Sequence, residues 1–166
     1  MNKKILVIAV VLIGGAGLML WGRENSRSGE AAPTPQGITK ASLSETVPLF
    51  DFGQVSMAKG KVMHAFELVN DTDIDLEIQK SMTSCMCTEA FLEFSGGEKL
   101  GPFGMPGHGP VPSVNRTVKS GEALTVETVF DPAAHGPAGI GPVERQVLLE
   151  TNKGRYTMGF RADVTP

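Results

Sequence analysis

The segments Val143-Glu144-Arg145-Gln146-Val147-Leu148-Leu149-Glu150 and Arg155-Tyr156-Thr157-Met158-Gly159-Phe160-Arg161-Ala162-Asp163-Val164 flank Thr151-Asn152-Lys153-Gly154. In the second segment Tyr156, Met158, Phe160, Ala162 and Val164 fall on one face, with Arg155, Thr157, Arg161 and Asp163 opposite. That period of two belongs to a strand with one face buried. The four residues between them read as a hairpin loop, with Gly154 where a positive φ is needed.

The same pattern recurs upstream. Lys61 to Asn70 places Val62, His64, Phe66 and Leu68 on one face. A turn at Asn70-Asp71-Thr72-Asp73 follows, and Ile74, Leu76 and Ile78 then alternate with Asp75, Glu77 and Gln79. Ala90 to Phe94 is an apolar run stopped by Ser95-Gly96-Gly97. Beyond Lys119-Ser120-Gly121-Glu122, residues Leu124, Val126, Thr128 and Phe130 alternate up to Asp131-Pro132. No segment after residue 22 keeps a helical period. About seven short strands at 8–12-residue spacing predict an all-β, immunoglobulin-like sandwich over residues 46–166. Two Gly/Pro-rich stretches interrupt it, one between Gly96 and Ser120 and one from Ala133 to Pro142. Long irregular stretches in a compact domain usually carry function.

The N-terminal part reads differently. Lys3 and Lys4 precede an uncharged run from Ile5 to Trp21, closed by Arg23. As a helix this run is roughly 26 Å long, short for a bilayer but tolerable, with Trp21 at the interface. Residues 1–22 are therefore expected to be a transmembrane helix, with the two lysines cytoplasmic and the domain outside. A cleaved signal peptide is the competing reading, and the absence of a nearby cysteine excludes a lipoprotein. Residues 23–45, with Ala31-Ala32-Pro33-Thr34-Pro35, are expected to be a flexible linker. From Thr46 onward 10 Lys+Arg face 15 Asp+Glu, with one Tyr and no Trp, a balance that gives no sign of nucleic-acid binding.

Both cysteines of the chain lie in Thr83-Ser84-Cys85-Met86-Cys87-Thr88. They are open to three readings: a disulfide, a pair of metal thiolates, or buried small hydrophobes. Export favours oxidation, but i,i+2 cysteines on an extended strand approach the upper limit of disulfide Cα separation, so a bridge requires a bent backbone. Two thiolates at that spacing can instead chelate one ion. The Gly/Pro-rich stretches add Met105, His108 and His135, and Met86 sits between the cysteines. Thiols, thioethers and imidazoles are the donors chosen by soft metals, above all Cu(I). Copper as Cu(I) would take Cys85 and Cys87 plus one or two of Met105, His108 and His135. Zinc would want a four-donor set such as Cys85, Cys87, His108 and His135. A redox-active thiol pair is a further alternative. His64 reads as a packed strand residue and Met158 as core, Met57 is open to either role, and Arg145 and Arg155 read as exposed strand charges.

Several segments in order resemble a known pattern: Leu49-Phe50-Asp51-Phe52-Gly53-Gln54-Val55, the strand ending Val69-Asn70, Ser84-Cys85-Met86-Cys87-Thr88, Lys119-Ser120-Gly121-Glu122, Val129-Phe130-Asp131-Pro132 and Glu150-Thr151-Asn152. They are similar to the bacterial family called domain of unknown function 1573, over about residues 46–166. The resemblance implies an exported, Ig-like domain and supplies no function. The family usually has Ser-Cys-Gly-Cys-Thr, where Met86 stands here.

No Ser/His/Asp order or phosphate loop stands out, so the chain is not expected to be an enzyme. The expected function is a membrane-tethered domain in the bacterial cell envelope, periplasmic or extracellular, that binds a soft metal for copper carriage or detoxification. The alternative is a non-catalytic module for an envelope protein partner, with Cys85 and Cys87 structural or redox-active. A shared metal site requires the Cys85–Cys87 turn, the Met105–His108 loop and the His135 loop to meet at one end of the sandwich.

Overall fold

The closing hairpin exists as read. β9 (Gly141–Thr151) pairs antiparallel with β10 (Gly154–Thr165), and Gly154 stands opposite Thr151 at φ +135°. Around it the computed structural model, which describes residues 33–43 and 47–166, builds eight more strands. These are β1 (Pro35–Ser42), β2 (Phe50–Ser56), β3 (Val62–Val69), β4 (Leu76–Thr83), β5 (Thr88–Phe94), β6 (Lys99–Phe103), β7 (Ser113–Val118) and β8 (Ala123–Phe130). They form two five-stranded sheets, in the orders β1-β3-β8-β5-β6 and β2-β10-β9-β4-β7. Both are mixed, because β1 runs parallel to β3 and β2 parallel to β10.

The sheets share one core, as in a sandwich. Phe66, Leu68, Leu92, Leu124 and Val126 of the first sheet and Leu76, Ile78, Leu149 and Met158 of the second are buried in a single cluster. Each such side chain contributes about 1.5–3 kcal/mol of apolar transfer. A second, smaller cluster of Phe52, Val55, Phe130, Phe160, Ala162 and Val164 includes Cys85 and Cys87. The sulfurs therefore sit on a packed floor.

Three strands correct the sequence reading, and each lies at a sheet edge. β1 occupies part of the linker expected over 23–45, and Leu43 just after it is 2% exposed in the core. β6 and β7 cut into the stretch between Gly96 and Ser120, which leaves a shorter loop from Gly104 to Pro112. An edge strand has one neighbour and few buried positions, so its alternation is weak. Pro102 in β6 is tolerated there because an edge strand can spare an N–H. The anchor expected over residues 1–22, and the linker as far as residue 32, lie outside the described residues. Among the described residues no helix is long and apolar enough to cross a membrane.

The register places the loops that matter. Thr88 at the start of β5 lies opposite Phe130 at the end of β8, and Ala90 lies opposite Phe103 at the end of β6. Thr83 at the end of β4 pairs with Val147 midway along β9, beyond which the first half of β9 runs on past the end of β4. The crossings β4–β5, β6–β7 and β8–β9, each passing from one sheet to the other, therefore leave the same end of the molecule.

Candidate functional site at the Cys85–Cys87 turn

The turn between β4 and β5 is fixed before any cysteine chemistry is considered. Thr83 Oγ1 donates to the carbonyls of Cys85 and Thr88, each at 3.0 Å, and Thr88 N donates back to Cys85 O at 3.1 Å. Backbone bonds tie the turn to its neighbours: Thr83 N to Gly104 O, Ser84 N to Gln146 O and Asp131 N to Cys87 O. All three crossings are thus linked through this one segment. Because the cysteines occupy a turn rather than a strand, their Cα atoms are 5.3 Å apart, inside the disulfide range, and the two are joined as a disulfide.

His135 comes from the β8–β9 crossing, where it precedes a short 3-10 turn, Gly136–Gly139. Its exposed ring places Nε2 3.3 Å from Cys85 Sγ. Ligand atoms of Cys85, Cys87 and His135 all lie within 4.8 Å of one another. In the disulfide neither sulfur is a thiolate, so this trio offers two anionic sulfurs and one imidazole nitrogen only after reduction.

The remaining predicted donors are arranged otherwise. His108 does not join that group of three. With Met86 and Met105 it lines an open groove of about 420 Å³ walled by Gly104, Pro110 and Pro112. Met86, 49% exposed, also borders a small cleft of about 70 Å³ shared with Cys87, Lys61, Glu89 and Asp131. Met86 therefore borders both the groove and the cleft that reaches Cys87. His64 is a packed residue, with its ring stacked on Phe50 at 3.4 Å and hydrogen-bonded to Thr39 Oγ1 at 2.8 Å.

Arg145 corrects the sequence reading as an exposed strand charge. It is half-buried in the first half of β9, and its Nε–H donates to Cys87 Sγ at 3.3 Å. Among the described residues Arg145 forms no ion pair, whereas Arg116, Arg155 and Arg161 each hold a carboxylate at 2.8–2.9 Å. Alternation along β9 marks it as polar. Only the pairing of β9 beside the cysteine turn aims it at sulfur.

No protein-family model and no curated protein matches the chain. Among solved structures it is similar to a protein of unknown function from Porphyromonas gingivalis W83, at 13% identity and a TM-score of 0.50, over 82% of this chain and 51% of that one. It is also similar to the Vibrio cholerae VesB protease, at 14% identity and a TM-score of 0.38, over 85% of this chain and 34% of that one. The chain thus spans about half and about a third of these proteins. The first likeness reaches the fold alone.

Proposed function

We propose that this protein is an extracytoplasmic, membrane-tethered Ig-like domain that binds a soft metal ion, Cu(I) before zinc, through reduced Cys85 and Cys87 together with His135. The observation that carries the reading is the grouping of those three ligand atoms within 4.8 Å. Two thiolates and one imidazole are a soft donor set. Zinc asks for four ligands in a closed site, and the group supplies three. Charge balance points the same way. Two thiolates around Cu(I) leave one net negative charge, which the guanidinium of Arg145 beside Cys87 neutralises. Around Zn(II) the same pair is already neutral. The Lys3/Lys4-flanked apolar run and the resemblance to an exported family support the envelope placement, and carriage or detoxification of copper suits a tethered domain.

The test is a competition titration of untagged protein, reduced with a phosphine, against a chromogenic Cu(I) chelator. One equivalent of Cu(I) is expected, lost in Cys85→Ser and Cys87→Ser, with His135→Ala weakening affinity by about tenfold or more as one of three donors disappears. Reduced protein that leaves all Cu(I) with the chelator would overturn the reading.

A further inference from the structure

We infer that the Cys85–Cys87 disulfide is a thiol–disulfide exchange centre in which an external thiol attacks Cys85 and Cys87 is the leaving sulfur. This goes beyond metal binding and stands whether or not the reduced pair takes an ion. It rests on the unequal surroundings of the two sulfurs.

Cys87 Sγ is 3.3 Å from the Nε–H of Arg145, an arginine that has no carboxylate partner among the described residues. A guanidinium gains little from a neutral disulfide sulfur. It gains a charge-assisted hydrogen bond once that sulfur carries a negative charge. Its preference is therefore for the state in which Cys87 has left. Cys85 Sγ has no guanidinium or ammonium group beside it; its neighbours are the His135 ring and the Cys87 N–H, at 3.3 Å each.

Access runs in the same direction. Cys85 is 8% exposed and Cys87 only 2%. The cleft that reaches Cys87 measures about 70 Å³ and is bordered by Glu89 and Asp131 against a single Lys61, so it resists an anionic nucleophile. Exchange rates depend on which sulfur is open to attack and on how well the departing thiolate is stabilised. Both conditions select the same bond polarity here.

The step balances without a further reagent. The thiolate of a small-molecule or protein thiol donates its electron pair to Cys85 Sγ and forms a mixed disulfide. The Cys85–Cys87 bond breaks with its pair on Cys87 Sγ, facing Arg145. A second thiolate attacks the outer sulfur of the mixed disulfide, which releases an external disulfide and the Cys85 thiolate. Two electrons have then passed from two external thiols to the protein pair. The scaffold bonds of Thr83, Ser84 and Asp131 do not involve the sulfurs, so the turn need not unfold for either step.

The test treats the oxidised full chain with glutathione, quenches with N-ethylmaleimide at short times, and maps the adducts by peptide mass spectrometry. Glutathione is expected on Cys85 and maleimide on Cys87, in excess over the reverse. Arg145→Ala is expected to slow loss of the disulfide by about tenfold, and Arg145→Lys, which keeps the charge, to recover part of that rate. Glutathione on Cys87, an even split, or a disulfide that glutathione leaves untouched overturns the inference, as does an unchanged rate in folded Arg145→Ala. Wild-type adduct mapping decides the polarity even if the variant fails to fold. The copper titration begins from phosphine-reduced protein and contains no thiol, so either proposal can fail without the other.

Discussion

Asn70 has no exposed surface and spends its whole amide on neighbours. Nδ2 donates to the carbonyls of Ile74 and Val118, both at 2.9 Å, and Oδ1 accepts from the N–H and hydroxyl of Thr72. Its backbone closes the facing turn, where Gly121 at φ +79° donates to Asn70 O at 2.7 Å. Asn70→Ala is expected to cost about 2–3 kcal/mol in chemical denaturation, because it strands buried polar groups rather than removing one bond. The Asn70-Asp71-Thr72 triplet also matches a glycosylation acceptor, but an amide enclosed in this way has no free nitrogen to modify. Met86 makes the opposite case. Among the described non-glycine residues only Asn115 has a positive φ. The residue between the cysteines therefore needs no glycine, and methionine there sets a soft, exposed side chain between the two cysteines at no backbone cost.

At the scale of elements, β1 is tied to a buried imidazole. It joins the sheet by parallel pairing with β3, and its Thr39 hydroxyl bonds His64 of that strand. His64 is 1% exposed, packed by Phe50, Phe52 and Phe66, and its Nδ1 has no partner. Burial pushes its pKa from 6.5 down to about 4. The folded form thus holds His64 neutral where the unfolded chain would protonate it. Stability from this group is complete above pH 6.5 and is lost as the pH falls from there to about 4. The full loss is about 3 kcal/mol, since a tenfold difference in proton affinity between the folded and unfolded chain is worth roughly 1.4 kcal/mol. Denaturation midpoints measured from pH 7 to pH 4 are expected to follow that slope. His64→Phe is expected to flatten it, leaving the slope set by carboxylates such as Asp51, held low by the Gly53 N–H and Arg161.

At the scale of the whole molecule, the site is a meeting of three sheet-to-sheet crossings, and the fold does not lean on the disulfide. Closing a ring over cysteines two residues apart removes little freedom from the unfolded chain, about 1.6 kcal/mol by the loop-entropy relation. Phosphine reduction is accordingly expected to leave the β circular-dichroism spectrum unchanged and to lower Tm by less than about 10 °C. Cys85 and Cys87 rest on the cluster of Phe52, Phe130 and Phe160, whose packing is apolar and uses no bond to either sulfur. A domain that keeps its shape in both oxidation states can offer the same turn to a metal or to a thiol.

The sequence alone determined the strands that bury one face. Alternation in Val62–Leu68, Leu124–Phe130 and Tyr156–Val164 is a direct record of side chains taking turns toward the core. It also singled out Cys85, Cys87 and His135, since donor chemistry is visible in residue type. Edge strands such as β1 and β7 left little trace, because backbone pairing asks almost nothing of their side chains. What only the tertiary structure decided is which donors meet. Strand order puts β8 and β6 on opposite sides of β5, so His135 reaches Cys85 while Met105 and His108 line a groove beyond Met86. Arg145 lies 58 residues from Cys87 and becomes its partner through the pairing of β9 with β4. No local pattern can hold that information, because the contact is created by sheet register and not by spacing along the chain.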